Sequence, residues 1–537
     1  MTRRSPAPHP TRARRPAPLT AVKALAPVLA LSLLASCASA VGESKGAGAG
    51  PTDGGTLKVG VTTDLVPASA FTNSSAVGNA LIGNVYDSLI DYPLTSLKPK
   101  PKLATSWKFS DGGKKLTLQL RDDVTFHDGR PFTSKDVAFS IKTWADPQWT
   151  VQLQRTAAAI TGFDTSKPHA ITLTFAHPLS NVLDLLDMVP IIDSKTLDQL
   201  REGKAFVGTG PFKFKSWSPG SKLELVRNDD YWGGKPHLDG VEIDVVPDPQ
   251  SLVSELRSGQ IDEAIGLTGR DVSTLSKDDA YTVTAEDGAE SQVYVGANVN
   301  NPALSDVRLR QAIAYALDRK RIIDEVYRGY GTPGDLPWPD YSPAYDEKAN
   351  QEYAYDPAKA KKLVAEVKAE GKQIPTLPLV YASNEANYDA TAQIVQEDLA
   401  EIGIKVQLEP TEQAEVVKDL IGGGFKGLWI LGHSYAQYTP STLAVSAYPF
   451  NADNNTSHYI NKGYQAAADG AWQQSAEKAM QPSSYAALNE QLLDGLFLME
   501  IGVLTPQHVT SASVHDVGLS KRGEPDYART YLTEGTS

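Results

Sequence analysis

Cysteine is nearly absent from this chain of 537 residues, in which Cys37 stands alone. A single cysteine excludes an intrachain disulfide, so the fold must depend on its apolar core. Roughly 500 residues follow the N-terminal segment, which is enough to bury an ample core and to form two or more lobes.

Excess positive charge and long apolar runs are also missing. The net charge is −13, and residues 1–36 carry six basic and no acidic side chains, so the rest of the chain is six units more negative. This balance argues against a surface that follows nucleic-acid phosphates. The one clear apolar run, Ala24–Ala35, is shorter than the roughly 20 residues that a membrane span requires.

Linear catalytic motifs are the third absence. The sequence has no GxxxxGK[ST] loop, no HExxH and no GxSxG elbow, and cysteine chemistry is unavailable. We therefore predict a protein that is not an enzyme and that carries no cofactor. Nine histidines and 64 carboxylates could still form a site that no linear motif reveals, so an enzyme remains an open alternative.

The N-terminus is the most informative segment that is present. A basic stretch without acids precedes the apolar run and leads to Leu34-Ala35-Ser36-Cys37, which matches the bacterial lipobox. This order predicts a lipoprotein signal peptide over residues 1–36, lipidation at Cys37 and a flexible tether over 37–55. The lipid would hold the protein at the outer face of the cell membrane without spanning it.

Periodicity predicts a mixed α/β body that begins at Thr56. Alternation predicts strands at 116–120 and 241–246 and a hairpin over 211–228. Asp306, Asp318 and the pair Asp356-Pro357 are typical of helix starts, and Gly329 is predicted to end the second of these helices. Residues 377–408 read as strand, helix and strand, a unit that builds a parallel sheet covered by helices.

Seven short segments occur in a fixed order. They are Tyr86-Asp87-Ser88-Leu89, Leu103–Trp107 followed by Asp111-Gly112, Leu120–Val137, Gly208–Phe212, Arg227–Trp232, Asp306–Arg319 and Tyr355–Ala360. Together they resemble the family 5 extracellular solute-binding proteins, the peptide- and nickel-binding components of ABC importers. The resemblance extends from about residue 56 to about residue 510.

The resemblance implies a periplasmic-binding-protein-like fold of two α/β lobes joined by a hinge, with an extra α+β subdomain. We expect lobe I to combine residues 56–90, 205–298 and 505–537. The extra subdomain would span 91–204 and lobe II would span 299–504. The motifs themselves are predicted to be structural, because His127-Asp128-Gly129 is turn chemistry and Gly208-Thr209-Gly210 precedes a proline and no helix.

The ligand position departs from the pattern of the peptide-binding relatives. Those proteins carry a "GW-x-x-D" element whose aspartate holds the peptide ammonium group. Here Trp429 matches the aromatic residue, but Gly432 and His433 stand where the acid belongs. Either another acid replaces it, Asp64 or Asp453, or the ligand lacks a free amine. The predicted ligand-binding residues are Trp429, Gly432, His433, Tyr435, Trp338 and Asp64.

The resemblance implies a receptor that captures short peptides by hinge closure and delivers them to a permease and an ATPase. A monomer without nucleic-acid partners is expected. An oligosaccharide, an opine or a metal chelate in the same fold stays open, as does a surface lipoprotein enzyme or signalling receptor. No metal site is predicted, because no second His or Cys lies at ligand spacing near His433.

Overall fold

Two large mixed sheets and one smaller antiparallel sheet organise the chain. The computed structural model describes residues 51–533, except 73–74, 150 and 386. The predicted signal peptide, Cys37 and most of the predicted tether lie outside the described residues. Within the described residues, no helix is long and apolar enough to cross a membrane.

The elements are numbered in chain order. The strands are β1 (Thr56–Val61), β2 (Ile90–Asp91), β3 (Lys100–Pro101), β4 (Ala104–Ser110), β5 (Lys115–Leu120), β6 (Ile160–Lys167), β7 (Ala170–Phe175), β8 (Phe212–Ser218), β9 (Lys222–Arg227), β10 (Gly240–Val245), β11 (Glu263–Ile265), β12 (Tyr281–Ala285), β13 (Ser291–Ala297), β14 (Gly331–Pro333), β15 (Leu377–Ala382), β16 (Val406–Thr411), β17 (Leu428–His433), β18 (Leu498–Leu504), β19 (Gln507–Ser511), β20 (Val514–His515), β21 (Gly518–Leu519), β22 (Pro525–Asp526) and β23 (Tyr531–Leu532). The α-helices are α1 (Ala76–Val85), α2 (Ser134–Ala145), α3 (Gln154–Ala158), α4 (Val182–Met188), α5 (Leu197–Arg201), α6 (Pro249–Ser258), α7 (Gly269–Leu275), α8 (Val307–Ala316), α9 (Arg319–Glu325), α10 (Pro357–Ala369), α11 (Tyr388–Glu401), α12 (Gln413–Gly422), α13 (Pro440–Ser446), α14 (Lys462–Trp472) and α15 (Ala486–Gly495).

The first sheet has the strand order β12-β19-β11-β1-β10-β9-β8. Strand β1 lies between β10 and β11 and runs parallel to both, while β8, β9 and β10 pair antiparallel. Leu57, Val59 and Val61 on β1 are fully buried. The predicted strand at Thr56 and the predicted hairpin over 211–228 are both confirmed.

The second sheet has the strand order β14-β18-β13-β17-β15-β16. Strand β15 is parallel to β16 and β17, and β13 is antiparallel to β17 and β18. This arrangement confirms the parallel sheet predicted from residues 377–408. Strand β13 is buried along almost its whole length, as expected of a central strand with both faces covered.

Capping residues explain most of the helix starts. Asp306, Asp318 and Asp356 each accept a backbone N–H of the first turn of α8, α9 and α10, as predicted. Thr133 and Asp136 form a reciprocal capping box at α2, which satisfies two otherwise unpaired donors. The predicted end of the second helix at Gly329 is wrong, because α9 ends at Glu325.

Residues 286–290 and 505–506 carry the chain between the two large sheets, from β12 to β13 and from β18 to β19. The small sheet, β4-β5-β7-β6, is wholly antiparallel and packs with α2 and α3. This architecture confirms the predicted class of two α/β lobes with crossing strands. The residue boundaries of the lobes and of the extra subdomain stay predictions.

The family-like motifs are held to one another by buried polar contacts. His127 bonds with its ring and its backbone to residues 208–210, and burial lowers its pKa to about 4. Asp87 accepts from Thr209, Tyr231 and Trp232. These contacts agree with the structural role predicted for the motifs.

Candidate functional site

One edge of the second sheet collects the ends of several strands. The carboxyl ends of β15 and β17 lie side by side because these strands are parallel. The amino end of β13 lies at the same edge because β13 is antiparallel to β17. In open α/β sheets, ligands bind in the crevice outside the carboxyl ends of the strands. We call Gln292, Glu385, Tyr388, Gly432 and His433, which lie at this edge, the edge site.

Gln292 lies near the start of β13, next to the segment that crosses from the first sheet. Its side chain is fully buried, and neither the amide nitrogen nor the amide oxygen has a hydrogen-bond partner among the described residues. A buried polar group without a partner costs about 1–3 kcal/mol. Buried polar groups in folded proteins nearly always have a partner, and a bound ion, water or ligand can supply one where the protein does not.

His433 ends β17 directly opposite Gln292 in the strand register. Its Nδ1 accepts the backbone N–H of Tyr435 at 3.3 Å, and its Nε2 has no partner among the described residues. Burial lowers the pKa of His433 to about 3, so the ring is neutral near pH 7. Since Nδ1 accepts, the proton resides on Nε2, which is left as a free donor.

Aromatic rings surround the imidazole. The ring of Tyr435 lies 5.0 Å and the ring of Phe450 5.6 Å from that of His433, centroid to centroid. Tyr294, two residues after Gln292 on the same face of β13, packs edge-on against Phe450 at 6.1 Å. These rings fix the orientation of the imidazole and keep water from its buried side.

Tyr388 begins α11 and reaches across the edge to Gly432. A side chain at Gly432 would place its Cβ only 2.8 Å from the Tyr388 hydroxyl oxygen. Glycine at this position therefore allows the tyrosine to approach the backbone of β17 closely. Burial raises the pKa of Tyr388, and the negative charge of Glu385 raises it further.

Glu385 lies in the loop between β15 and α11. Its side chain is exposed, yet the surrounding protein desolvates the carboxylate and raises its pKa. The same charge also acts on the hydroxyl of Tyr327. Among the described residues, no basic side chain forms an ion pair with Glu385. The edge site therefore contains two buried neutral groups without partners among the described residues, Gln292 and the Nε2 of His433, and the exposed carboxylate of Glu385 lies in the loop that follows β15.

Two long-range contacts are made by residues that follow β15 and β17. On one side, the backbone N–H of Gly269 donates to the side chain of Asn387 at 3.2 Å. On the other side, the Gln437 amide donates to the carbonyl of Lys521 at 2.8 Å. Gly269 starts α7 beside the first sheet, so the edge site lies where the two regions meet.

A second buried polar cluster joins α4 to residues 438–442. Asp184 accepts from Tyr92, Thr439 and Thr442 at 2.6–3.1 Å, and Asp187 accepts from Tyr438 at 2.6 Å. Burial raises the pKa of Asp184 to about 6 and that of Asp187 to about 7. Unlike the edge site, this cluster is fully hydrogen-bonded within the protein. We therefore interpret it as a structural contact that holds α4 against residues 438–442.

The structure brings three of the predicted ligand residues together, namely Gly432, His433 and Tyr435. It places Trp429 in the core, fully buried, stacked on Phe425 at 4.6 Å. Trp338 is also buried and donates its indole N–H to Asn489 at 2.7 Å. Ligand contact by these two tryptophans stays a prediction, and the proposals below do not depend on it.

The two candidate replacement acids have partners elsewhere. Asp64 accepts from the indole N–H of Trp217 at 3.0 Å and from the backbone of Gly220 at 2.7 Å. Asp453 lies 3.1 Å from the guanidinium of Arg155. A role for either acid in amine binding stays a prediction.

Gln292, Tyr388 and Glu385 were not identified from the sequence. Gln292 is the polar exception within the otherwise apolar core of strand β13, and this exception was a usable signal. Glu385 follows the carboxyl end of a strand that the sequence does predict, so the crevice rule pointed to its loop. Whether Glu385, the one acid of residues 383–387, forms an ion pair depends on packing, which periodicity does not reveal.

A groove of about 370 Å³ lies elsewhere, lined by Phe109, Pro178 and Glu477 among others. None of its lining residues belongs to the buried side chains without partners. We therefore do not take this groove as the site.

Comparison with known proteins identifies the class. Residues 98–456 match the family described as bacterial extracellular solute-binding proteins, family 5 Middle. The matched region covers well over half of the chain, and the chain belongs to this family. The resemblance drawn from the seven segments is thereby confirmed.

Particular relatives differ in what their names say they bind. Heme-binding protein A of Haemophilus influenzae is 29% identical over 369 residues, 63% of this chain and 67% of that protein. Oligopeptide-binding protein AppA of Bacillus subtilis is 28% identical over 428 residues, 75% of this chain and 78% of that protein.

Solved structures share the fold. AppA in complex with a nonapeptide gives a TM-score of 0.79 at 23% identity and covers 90% of this chain and 100% of that chain. AgaA of A. tumefaciens R10 in complex with agropinic acid also gives 0.79, at 24% identity, with 90% and 99% covered. At these identities the likeness concerns the fold alone.

Proposed function

We propose that this protein is the substrate-binding component of an ABC importer and that it captures a short peptide at the edge site. The observation that carries the proposal is the pair of buried, unpartnered groups, Gln292 and the Nε2–H of His433, where the two sheet regions meet. A peptide backbone offers carbonyl acceptors and N–H donors that complement an amide and an imidazole donor. AppA, a relative over three quarters of this chain, is named as an oligopeptide-binding protein.

Capture would proceed by closure around the crossing segments 286–290 and 505–506. A ligand shifts an open–closed equilibrium only if it binds the closed form more tightly. A solute that bonds to Gln292 while touching the loops of the first sheet meets this condition. The closed, loaded form would then be the species that the permease recognises.

A second candidate is the same receptor with a ligand that is not a peptide. The neutral ring of His433 favours it, because an ammonium group gains nothing from a neutral donor. The relatives and neighbours named for heme and agropinic acid are consistent with varied ligands in this family. The chemistry of the bound solute separates the two candidates.

We further propose that the chain is exported, lipidated at Cys37 and held as a monomer at the outer face of the cell membrane. The lipobox at residues 34–37 supports this proposal. Mass spectrometry of the protein extracted from bacterial membranes tests it, because a diacylglyceryl group on Cys37 and cleavage before it change the mass together. An intact N-terminus contradicts the anchor.

The experiment for the ligand is native mass spectrometry of the full-length chain purified in mild detergent. A heterogeneous set of co-purified short peptides supports the peptide proposal. A single sugar, opine or metal complex contradicts it and favours the second candidate. If the protein is recovered without ligand, a thermal-shift screen of peptides against sugars and chelates decides between them.

A further inference from the structure

The contact between α4 and residues 438–442 connects the two sheet regions. On one side, the backbone N–H of Leu89 donates to the carbonyl of Leu186 on α4 at 3.0 Å. Leu89 follows α1, which packs on β8 and β10 of the first sheet. On the other side, residues 438–442 follow β17 of the second sheet and include the start of α13. The two faces of this contact therefore belong to the parts that would move relative to each other about the crossing segments.

Polar side chains make up much of the contact. The hydroxyl oxygens of Ser180 and Ser441 lie 2.7 Å apart, and the Asn181 amide donates to the Thr442 hydroxyl at 3.1 Å. These four side chains and that of Asp184 are almost fully buried. The interior of a single lobe is mainly apolar, whereas interfaces between domains that move are more polar. The composition is therefore that of two surfaces that can each also face water.

Asp184 and Asp187 are the acidic groups of the contact. Across it, Asp184 accepts from Thr439 and Thr442, and Asp187 accepts from the Tyr438 hydroxyl at 2.6 Å. Burial raises the pKa of Asp184 to about 6, and desolvation of the partly exposed Asp187 raises its pKa to about 7. Separation of the two faces would return both carboxyls to water and bring each pKa toward the ordinary value of about 3.9.

Other charged and titratable side chains face these two acids. Lys102 and Arg522 lower the pKa of Asp187 by their charge and Asp91 raises it, but desolvation is the largest influence. Burial lowers the pKa of Lys521 to about 8, so this side chain stays mostly charged up to about pH 7.5. The remaining groups are tyrosines whose pKa burial raises, namely Tyr92, Tyr438 and Tyr485.

We propose that this contact forms when the receptor closes, and that Asp184 and Asp187 make the closed form more favourable in acidic than in neutral solution. The inference rests on the hinge closure of the proposed function. The closed form holds protons that the open form releases, so this contribution to closure is lost as the pH rises through about 6 to 7. A solute that requires the closed form is therefore held more tightly in a mildly acidic medium.

The test measures the distance between the two sheet regions in the full-length protein without solute, in detergent. Spin labels are attached through p-acetylphenylalanine in place of Ser254 on α6 and Lys418 on α12, two exposed positions. Helix α6 packs on β1 and α12 on β15, so the labels report on the two sheets. Pulsed electron paramagnetic resonance gives the distance distribution. We expect the ratio of closed to open protein to fall at least about tenfold between about pH 5 and pH 7.5, because each proton bound on closure changes the ratio up to tenfold per pH unit.

Three variants separate titration from packing. Asp184→Asn combined with Asp187→Asn keeps an acceptor at each position but binds no proton in this range, so the pH dependence should disappear. Ser441→Ala removes an uncharged hydrogen bond of the same contact, so it should reduce closure equally at both pH values. The matched control is Asp244→Asn combined with Asp262→Asn. Burial also raises the pKa of these carboxyls, but they lie on β10 and beside β1 of the first sheet, so the control should behave as wild type.

The outcomes distinguish this inference from the proposed function. A wild-type distance distribution that is the same at both pH values, or a pH dependence that survives in D184N/D187N, overturns the inference and leaves peptide capture intact. If the double variant does not fold, Asp187→Asn alone is measured, because Asp187 is partly exposed; it should weaken the pH dependence, and an unchanged dependence overturns the inference. If closure depends on pH through these acids while native mass spectrometry finds no bound peptide, peptide capture is contradicted and the inference stands.

Discussion

The motif region around Asp87 and the edge site around Gln292 differ in whether their buried polar groups have hydrogen-bond partners. Asp87 is nearly fully buried and accepts from Thr209, Tyr231 and Trp232, with Lys102 at 3.4 Å. Gln292 is fully buried, and both ends of its amide lack a partner in the part of the chain that the structure describes. The first region satisfies its buried carboxylate within the protein, whereas the second leaves a buried amide unpaired among the described residues.

The difference explains why recognisable motifs did not locate the ligand. His127, Asp87 and the glycines near residue 208 make the sequence resemble a family because they build a shared framework. In our proposal, the partner of Gln292 and His433 is the solute, so these residues do not belong to that framework. A fold identified from motifs therefore leaves specificity undetermined.

The largest expected effect comes from breaking the motif region. Asp87→Ala removes the common acceptor of three donors and leaves Lys102 without its counter-charge, so we expect a loss of about 3–5 kcal/mol in the free energy of unfolding. Urea denaturation measures this loss. Asp122→Ala, at an exposed carboxylate, is the control and should change nothing. A D87A variant as stable as the control contradicts a structural role for the motif.

The next prediction is a gain in the free energy of unfolding at the edge site, in contrast to the loss expected at Asp87. Gln292→Leu removes a buried amide without partners, so we expect the unliganded protein to gain about 1–3 kcal/mol while ligand binding is lost. Gln474→Leu is the matched control, because Gln474 is also buried but donates to the carbonyl of Ala471 at 2.9 Å. That control should lose stability. Urea denaturation and the ligand screen are the measurements, and a destabilised Q292L contradicts our interpretation.

A third prediction concerns how stability depends on pH through the contact between α4 and residues 438–442. Burial raises the pKa of Asp184 to about 6 and of Asp187 to about 7, above the ordinary value of about 3.9. The native state thus holds protons that the unfolded state releases. These two groups favour folding most below about pH 4, and that contribution is lost as the pH rises through about 6 to 7.

Replacing both acids with asparagine should flatten this dependence. We expect the slope of stability against pH between about 4.5 and 7.5 to change by at most about 1.4 kcal/mol per pH unit for each carboxyl. Thermal unfolding across that range measures the slope. Identical slopes in wild type and in the D184N/D187N variant contradict the assignment.

The smallest effect is expected at the partly exposed ion pairs of Arg155. Its guanidinium lies 3.1 Å from Asp453 and 2.9 Å from Asp469. Exposed pairs contribute about 0–1 kcal/mol, and salt screens them. We expect Arg155→Ala to lose no more than about 1 kcal/mol, less at high salt, in urea denaturation. A loss as large as that of D87A would contradict the expectation that partly exposed ion pairs stabilise the fold less than the buried contacts of Asp87.

Local patterns predicted the fold well because they act over short distances. The caps at Asp306, Asp318 and Asp356, the hairpin after Phe212 and the parallel strands near 377–408 each depend on neighbouring residues. The site was predicted in part, through Gly432, His433 and Tyr435. Gln292 was missed because its significance is the absence of a partner, and Tyr388 was missed because its significance is a close approach to Gly432. Both features depend on residues distant in sequence.

The most direct test of the account is a crystal structure of the full-length protein with its co-purified solute. We predict solute atoms within about 3.2 Å, hydrogen-bond distance, of the Gln292 amide and the His433 Nε2. A solute bound elsewhere, with Gln292 and His433 still without partners, would contradict the claim that the ligand completes these groups.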